Sequence, residues 1–215
     1  NAAPAALRRA IYSSAKPIKD VPTYAQGYGM FNVPDAWKLL NRGVKTDRAY
    51  TSDAPVCTVL SGFLATPNRG TGLYNDCAAT AGGQKPGERK TYQVNVTRTS
   101  GPKLAVLHTV SLRGNDGTFI APPLVSLPLN KTVSIPVVAK ASAGVHSAIM
   151  TINDPLTSTI DFEVSLVVVA ASEAKDIAVC RFETSTGIAP LSLHAEENLR
   201  RAESVVAIGS PIGLI

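Results

Sequence analysis

The sequence has no apolar run long enough to cross a membrane as a helix. Its longest such stretch, Val164 to Ala171, is interrupted by Ser165 and is far shorter than the roughly 20 residues that a spanning helix needs. Aromatic residues make up only 6% of the chain and charged residues 17%, whereas 45% is hydrophobic. This balance excludes a disordered or collagen-like chain. We therefore predict a globular chain of one or two domains with no membrane partner.

Clustered positive charge is also missing, although the net charge is +5. The basic residues are scattered, and adjacent pairs occur only at Arg8-Arg9, Arg89-Lys90 and Arg200-Arg201. A nucleic-acid site needs a concentrated basic surface. We predict no nucleic-acid partner.

Neither an initiating methionine nor a secretory leader opens the sequence. The chain starts at Asn1 inside a segment with helical character. We interpret this start as a cut within a longer protein.

Catalytic and metal-binding motifs are absent as well. There is no Gly-x-Ser-x-Gly, His-Glu-x-x-His, Cys-x-x-Cys or phosphate-binding loop. The candidate bases are His108 and His146, predicted to be strand-face residues, and His194, predicted to be solvated on a late helix. The segment Gly114-Asn-Asp-Gly has only a superficial likeness to a calcium loop and is predicted to be a hairpin turn. We predict no catalytic, substrate-binding or metal-binding residue and no cofactor.

The cysteines are few: Cys57, Cys77 and Cys180. The first two enclose a loop rich in glycine, proline and asparagine, which a disulfide would stabilise by roughly 3 kcal/mol. We predict that disulfide, with two free thiols as the alternative. A disulfide indicates an oxidising, extracellular setting. We predict that Cys180 is a small buried residue of a late strand.

The residues that are present begin with two helical segments. Pro4 suits a first helical turn, and Leu7, Ile11 and Ala15 follow on one face of a helix that should stop before Pro17.

A tight turn at Gly27 and Gly29 precedes a second helix, opened by Pro34 and ending near Leu40. The buried side of this helix is predicted to be Ala36, Trp37 and Leu40. Two such helices are too little to fold alone, so another layer must pack on them.

Alternation of apolar and polar residues, the mark of half-buried strands, follows from about residue 50. It is clearest in Thr91–Thr97, Leu104–Leu112, Thr132–Val138, Val145–Ile152 and Ile160–Val169. Turn-forming residues separate these segments. The pattern predicts a mainly β fold, an antiparallel β-sandwich of the fibronectin III or immunoglobulin kind. Beyond it we predict a strand at Ile177–Phe182 and a C-terminal helix from Ser192 to Gly209.

One resemblance is carried by the segments Pro4-Ala-Ala-Leu-Arg-Arg-Ala-Ile-Tyr-Ser-Ser-Ala-Lys-Pro and Gly27-Tyr-Gly-Met-Phe-Asn-Val-Pro-Asp-Ala-Trp. They resemble the end of the catalytic domain in subtilisin-like serine proteases, peptidase family S8. The residues that match the family's structural turn are Gly27, Gly29, Asn32 and Ala36. In that family the catalytic Ser, His and Asp all precede these segments. The resemblance therefore implies that this chain holds scaffold and lacks the triad.

Residues 50–171 resemble, less specifically, the β-sandwich that follows the catalytic domain in large secreted bacterial members of that family. The resemblance implies two parts, the end of the catalytic domain (1–45) and the β-sandwich (46–172). Residues 173–215 match neither and form a C-terminal extension. It also implies that protein or peptide substrates would meet the missing catalytic domain. The alternative is a secreted sandwich without catalytic function that binds protein or polysaccharide by itself.

Overall fold

The computed structural model describes residues 3–157 and 159–171, and the chain in it begins with three helices. They are α1 (Pro4–Ser14), α2 (Thr23–Gln26) and α3 (Val33–Arg42). A proline lies in the first turn of both longer helices, where its missing N–H breaks no hydrogen bond. The two predicted helices are thereby confirmed, and α2 is an additional short one.

Ten strands follow within the described residues. Their bounds are β1 (Tyr50–Cys57), β2 (Arg69–Gly70), β3 (Leu73–Asn75), β4 (Arg89–Arg98), β5 (Val106–Arg113), β6 (Phe119–Ile120), β7 (Leu124–Leu127), β8 (Thr132–Lys140), β9 (Gly144–Asn153) and β10 (Phe162–Ala170). All five strands that the alternation predicts are present. The sequence did not single out β1, β2, β3, β6 and β7.

The strands form one curled sheet whose two halves face each other as a sandwich. One half has the order β6-β8-β4-β1, and the other has the order β3-β10-β9-β5-β7. Strand β1 belongs to both, because its residues 50–53 pair with β4 and its residues 56–57 pair with β3. The change of partner falls at Ala54 and Pro55. Strands that pass from one sheet to the other in this way close the corners of sandwiches.

Pairing is antiparallel throughout except at β3, which lies parallel to both β1 and β10. The predicted antiparallel sandwich is thus confirmed, with one short parallel strand inserted. Apolar side chains of both halves fill the space between them. The larger buried ones are Leu73, Tyr92, Val94, Val96, Phe119, Leu127, Ile135, Val137, Met150, Ile152, Val164, Leu166 and Val168.

The connection Gly114-Asn-Asp-Gly is not the predicted hairpin turn. It joins β5 to β6, which lie in different halves of the sandwich and do not pair with each other. The Asn115 side chain shapes it by bonding the backbone N–H and C=O of Phe119, at 3.0 and 2.9 Å. The turn residues were recognised correctly, but a turn motif does not reveal whether the flanking strands pair.

The helical segment lies across the outer face of the β5-β9-β10 half and is attached to it by polar contacts. The Thr23 hydroxyl donates to Ser147 Oγ at 2.7 Å, and Arg113 Nη2 donates to the Ala15 carbonyl at 2.5 Å. The Ile160 amide donates to Ser13 Oγ at 3.0 Å. Helices and sandwich belong to one compact unit.

The buried residues of the helices differ from those that their periodicity predicted. In α1 the buried residues are Ala10 and Ser14, while Leu7 is 45% exposed. In α3 Ala36 is buried, but Trp37 is 63% exposed. The prediction of a buried Trp37 is therefore wrong for this chain, because α3 packs against α1 and its buried residue is the small Ala36.

Candidate functional site

Four charged side chains tie the helical segment to the sandwich, and we call them the polar junction: Arg9, Arg48, Asp154 and Asp161. Arg9 Nη1 lies 3.3 Å from Asp161 Oδ1, and Arg48 donates from Nη1 to the carboxylate of Asp154. Asp161 also accepts the backbone amide of Asp154 at 2.7 Å. Both aspartates are buried, so each needs these partners to offset its lost hydration.

The environment of Asp154 fixes its charge. Burial alone would raise its pKa, but the Leu156 amide and the Arg48 guanidinium outweigh burial and hold the pKa of Asp154 below its ordinary value. The sequence analysis did not identify the junction. Its only signal was the turn at Asn153-Asp-Pro, which says nothing about a partner more than a hundred residues away.

A buried histidine lies beside the junction. His108 Nδ1 is 2.9 Å from the Val106 carbonyl, and its Nε2 is 2.8 Å from the Tyr50 hydroxyl. A carbonyl oxygen can only accept a hydrogen bond, so the Nδ1 atom that faces it carries the proton. Nε2 then accepts a hydrogen bond from the Tyr50 hydroxyl. Burial lowers the pKa of His108, although the Val106 bond partly opposes this. His108 points into the protein, with no free ring nitrogen for catalysis.

We predict a pH dependence of stability from His108. Its pKa is lower in the folded chain than the value of about 6.5 of the unfolded chain. Between the two pKa values the unfolded state therefore binds more protons, and the free energy of unfolding rises with pH. This stability is complete above the unfolded pKa and declines below it, by at most about 1.4 kcal/mol per pH unit.

Urea unfolding of the wild type and of His108→Asn between pH 7 and pH 5 measures this effect. The wild type should lose stability more steeply on acidification than the variant. The other titrating groups contribute to both slopes, so the difference isolates His108. Equal slopes would contradict the assignment.

A cavity of about 430 Å³ opens between α1 and the sandwich, next to the polar junction. Two ring pairs border it: Tyr12 stacks on Tyr28 at 4.4 Å between centroids, and Tyr50 stacks on Phe162 at 5.5 Å. Glu163 lies in its wall, and burial raises the pKa of this carboxyl despite the Tyr28 hydrogen bond. The residues that line the cavity include no serine, cysteine or histidine.

The four residues that match the family turn each have a structural role here. Gly29 has a φ of 97°, and a Cβ at this position would lie 2.2 Å from the Lys16 carbonyl oxygen, so only glycine fits. Gly27 ends α2 with a φ of 59°. Asn32 caps α3 by accepting the Asp35 amide at 3.1 Å. Ala36 is buried against the neighbouring elements.

The described part of the chain does contain serine, histidine and aspartate in hydrogen-bonded order. His146 Nδ1 is 2.6 Å from Asp116 Oδ2, and its Nε2 is 3.0 Å from Ser142 Oγ. However, Nε2 is also 3.2 Å from the Ser142 carbonyl oxygen. Nε2 is therefore shared between the hydroxyl and the backbone carbonyl of Ser142 and is not directed at the hydroxyl alone, as the base of a catalytic triad is. The cluster fastens the β8–β9 connection to the β5–β6 connection and is structural.

The remaining predictions concern the cysteines, His194, the C-terminal elements, and metal or membrane binding. Cys57 and Cys77 are joined in a disulfide, with Cα atoms 5.5 Å apart. His194, Cys180, the predicted C-terminal strand and the C-terminal helix lie outside the described residues. Over residues 3–157 and 159–171, no group of three or more potential metal ligands occurs and no helix is long and apolar enough to span a membrane.

Comparison with known proteins decides the family. A family model described as the Ig-like domain in actinomycete serine proteases matches residues 51–170, which is more than half of the chain. The chain belongs to this family. The Ig-like domain therefore spans the whole β-sandwich, from β1 to β10.

Two further similarities are more limited. Over 47 residues the chain is 47% identical to the serine protease PepD of Mycobacterium tuberculosis, a match that covers 22% of this chain and 10% of PepD. The chain thus spans about a tenth of the length of that relative. The crystal structure of a FixG-related protein from Vibrio parahaemolyticus aligns with a TM-score of 0.34 at 9% identity, over 59% of this chain and 98% of that one.

Proposed function

We propose that this chain is the C-terminal part of a secreted subtilisin-like serine protease. In this proposal α1–α3 complete the catalytic domain, and the Ig-like domain is an accessory that supports it. The catalytic Ser, His and Asp would lie before Asn1. The peptide substrates would bind there too.

The observation that carries the proposal is the outward face of the helical segment. Six large apolar side chains of the segment are 45–63% exposed: Leu7, Tyr24, Met30, Phe31, Val33 and Trp37. So many exposed apolar side chains within about 30 residues indicate a partner. The sandwich already occupies the opposite side of the helices through the polar contacts described above. The sequence of this same segment resembles the end of a subtilisin-like catalytic domain, which is the partner that fits.

Family membership supports the coarser part of the proposal. Ig-like domains of this kind occur in actinomycete serine proteases. The alternative, a free-standing sandwich that binds protein or polysaccharide, leaves the outward face of the helices without a purpose.

The experiment is made on the intact protein from the native gene. Reading the coding region before Asn1 should reveal a Gly-Thr-Ser-x-Ala motif just upstream, with the catalytic Asp and His earlier. In that protein, Trp37→Ser should lower the melting temperature of the catalytic domain and its labelling by a fluorophosphonate probe. The isolated 215-residue chain should not be labelled at all.

Ile120→Ser serves as the matched control. Ile120 is 57% exposed, but it lies on β6, in the half of the sandwich that does not carry the helices. Its replacement should leave both readouts unchanged. An upstream stop codon, stoichiometric labelling of the isolated chain, or equal effects of the two variants would contradict the proposal.

A further inference from the structure

A second apolar surface lies at the other end of β1, in the loop that the Cys57–Cys77 disulfide closes. Four of its side chains, which we call the loop tip, are exposed by 43–93%: Val59, Leu60, Phe63 and Leu64. β1 is eight residues long and leads from the junction near Tyr50 to this loop. At about 3.3 Å per residue, the loop tip is therefore well removed from the helical segment.

Internal hydrogen bonds hold the loop tip in place. Ser61 is buried, and its one hydroxyl proton lies between two acceptors, Asn68 Oδ1 at 2.7 Å and the Thr58 carbonyl oxygen at 3.0 Å from Oγ. The Asn68 amide returns a bond to the Ser61 carbonyl at 2.9 Å. These bonds and the disulfide fix a 3₁₀ turn, Ser61–Phe63, that points Phe63 outward at 88% exposure. Apolar groups fixed in this way lose little conformational entropy on binding.

The part of the loop that carries the loop tip is also free of charge. No Asp, Glu, Lys, Arg or His occurs from residue 54 to 68. The charged residues that flank this stretch, Asp53 and Arg69, bind each other, with Arg69 Nε 2.8 Å from Asp53 Oδ1. Burial of the loop tip in an apolar medium would therefore leave no unpaired ion behind.

Basic residues surround the base of the loop, and we call them the basic rim: Lys85, Arg89, Lys90 and Lys140. Lys90 Nζ donates to the Gly83 carbonyl at 2.9 Å, in the segment that packs beside the disulfide. Arg89 and Lys140 lie directly opposite each other on β4 and β8. Like charges in that position destabilise a sheet, and neither side chain has an ion-pair partner among the described residues.

Among the described residues, the acidic side chains at this end are Asp76 and Glu88, both exposed. One Glu88 carboxylate oxygen accepts the Lys85 backbone amide at 2.9 Å. The four basic residues outnumber them, so this end of the sandwich is positive around an apolar projection.

We propose that the loop tip and the basic rim form a docking surface for an anionic phospholipid membrane. The loop tip inserts among the acyl chains near the headgroups, and the basic rim contacts the phosphates. Apolar insertion combined with nearby cations is the established physical basis of peripheral membrane binding. The absence of a spanning helix does not bear on this mode, because a surface contact needs no span. The positive rim favours an anionic lipid surface over an apolar groove of another protein.

Co-sedimentation of the full chain with vesicles tests the proposal. The chain should bind vesicles made of an equal mixture of phosphatidylglycerol and phosphatidylcholine. It should bind vesicles of pure phosphatidylcholine much more weakly. Phe63→Ser should reduce binding to the anionic vesicles at least about tenfold, since a buried aromatic ring is lost. Lys85→Glu combined with Lys140→Glu should reduce it by about tenfold or more at low salt.

The matched control is Leu156→Ser. Leu156 is 83% exposed, close to the 88% of Phe63, but it lies in the loop between β9 and β10, so this variant should bind like the wild type. Unchanged melting temperatures would exclude unfolding as the cause in any variant. Failure of the wild type to sediment with anionic vesicles would overturn the proposal and leave a protein groove as the partner of the loop tip. If the charge variant alone lost binding and Phe63→Ser bound like the wild type, the loop tip would not insert among the acyl chains, and the proposal would be overturned.

Discussion

Replacing Arg98 by alanine should destabilise the Ig-like domain by about 3–5 kcal/mol. Arg98 ends β4, is fully buried, and donates to three backbone carbonyls. Nε reaches Leu127 at 3.0 Å, Nη1 reaches Ser100 at 2.9 Å, and Nη2 reaches Leu104 at 2.7 Å. Without the guanidinium the carbonyl of the buried Leu127 loses its partner, the loop loses two further hydrogen bonds, and a cavity replaces the side chain.

The three acceptors explain why arginine is needed at this position. They lie on the β4–β5 loop and at the end of β7, so one side chain links both halves of the sandwich. A planar fork reaches three fixed acceptors at once, whereas a lysine ammonium is a single point. Arg98→Lys should therefore lose most of the same stability.

Urea unfolding followed by circular dichroism measures this effect. Arg89→Ala is the control because Arg89 is on the same strand and exposed, and its loss should stay within about 0.5 kcal/mol. A loss of less than about 1 kcal/mol in Arg98→Ala would show that water replaces the guanidinium.

Two of the strands that the sequence predicted share one property. In β4 and β8, buried and exposed residues alternate along nearly the whole strand, because one face meets the core and the other meets solvent. β1 could not be found in this way. Its two halves pair with different sheets, so no single face stays inward along Tyr50–Cys57. β2 and β6 are two residues long and carry no period at all.

The polar junction could not be predicted from the sequence, for a different reason. Arg9 and Asp161 are 152 positions apart, and no local pattern connects residues so distant. The helices themselves were predictable from Pro4 and Pro34. Their outward faces were not, because periodicity shows that a face is apolar but does not show which molecule covers it. Trp37 was predicted to be buried on this ground and is exposed in this chain.

Replacing both Cys57 and Cys77 by serine should cost the domain about 3 kcal/mol, the chain-entropy value for closing a loop of this length. The bond spans 20 positions and closes the segment that contains β2 and β3. Strand β3 is only three residues long, yet it fills the place between β1 and β10. Without the disulfide, larger motions of this loop would therefore displace β3 and break the pairing that joins the two halves of the sheet.

The wild type unfolded in the presence of a reductant should match the double serine variant, and Cys180→Ser should behave like the oxidised wild type. Equal stability of oxidised and reduced wild type would contradict a role for the bond in the free energy of unfolding. The same comparison bears on the loop tip. Without the disulfide the loop adopts more conformations, so Phe63 loses more conformational entropy when it binds. We therefore expect the reduced chain to bind anionic vesicles more weakly than the oxidised chain at a temperature where both are folded.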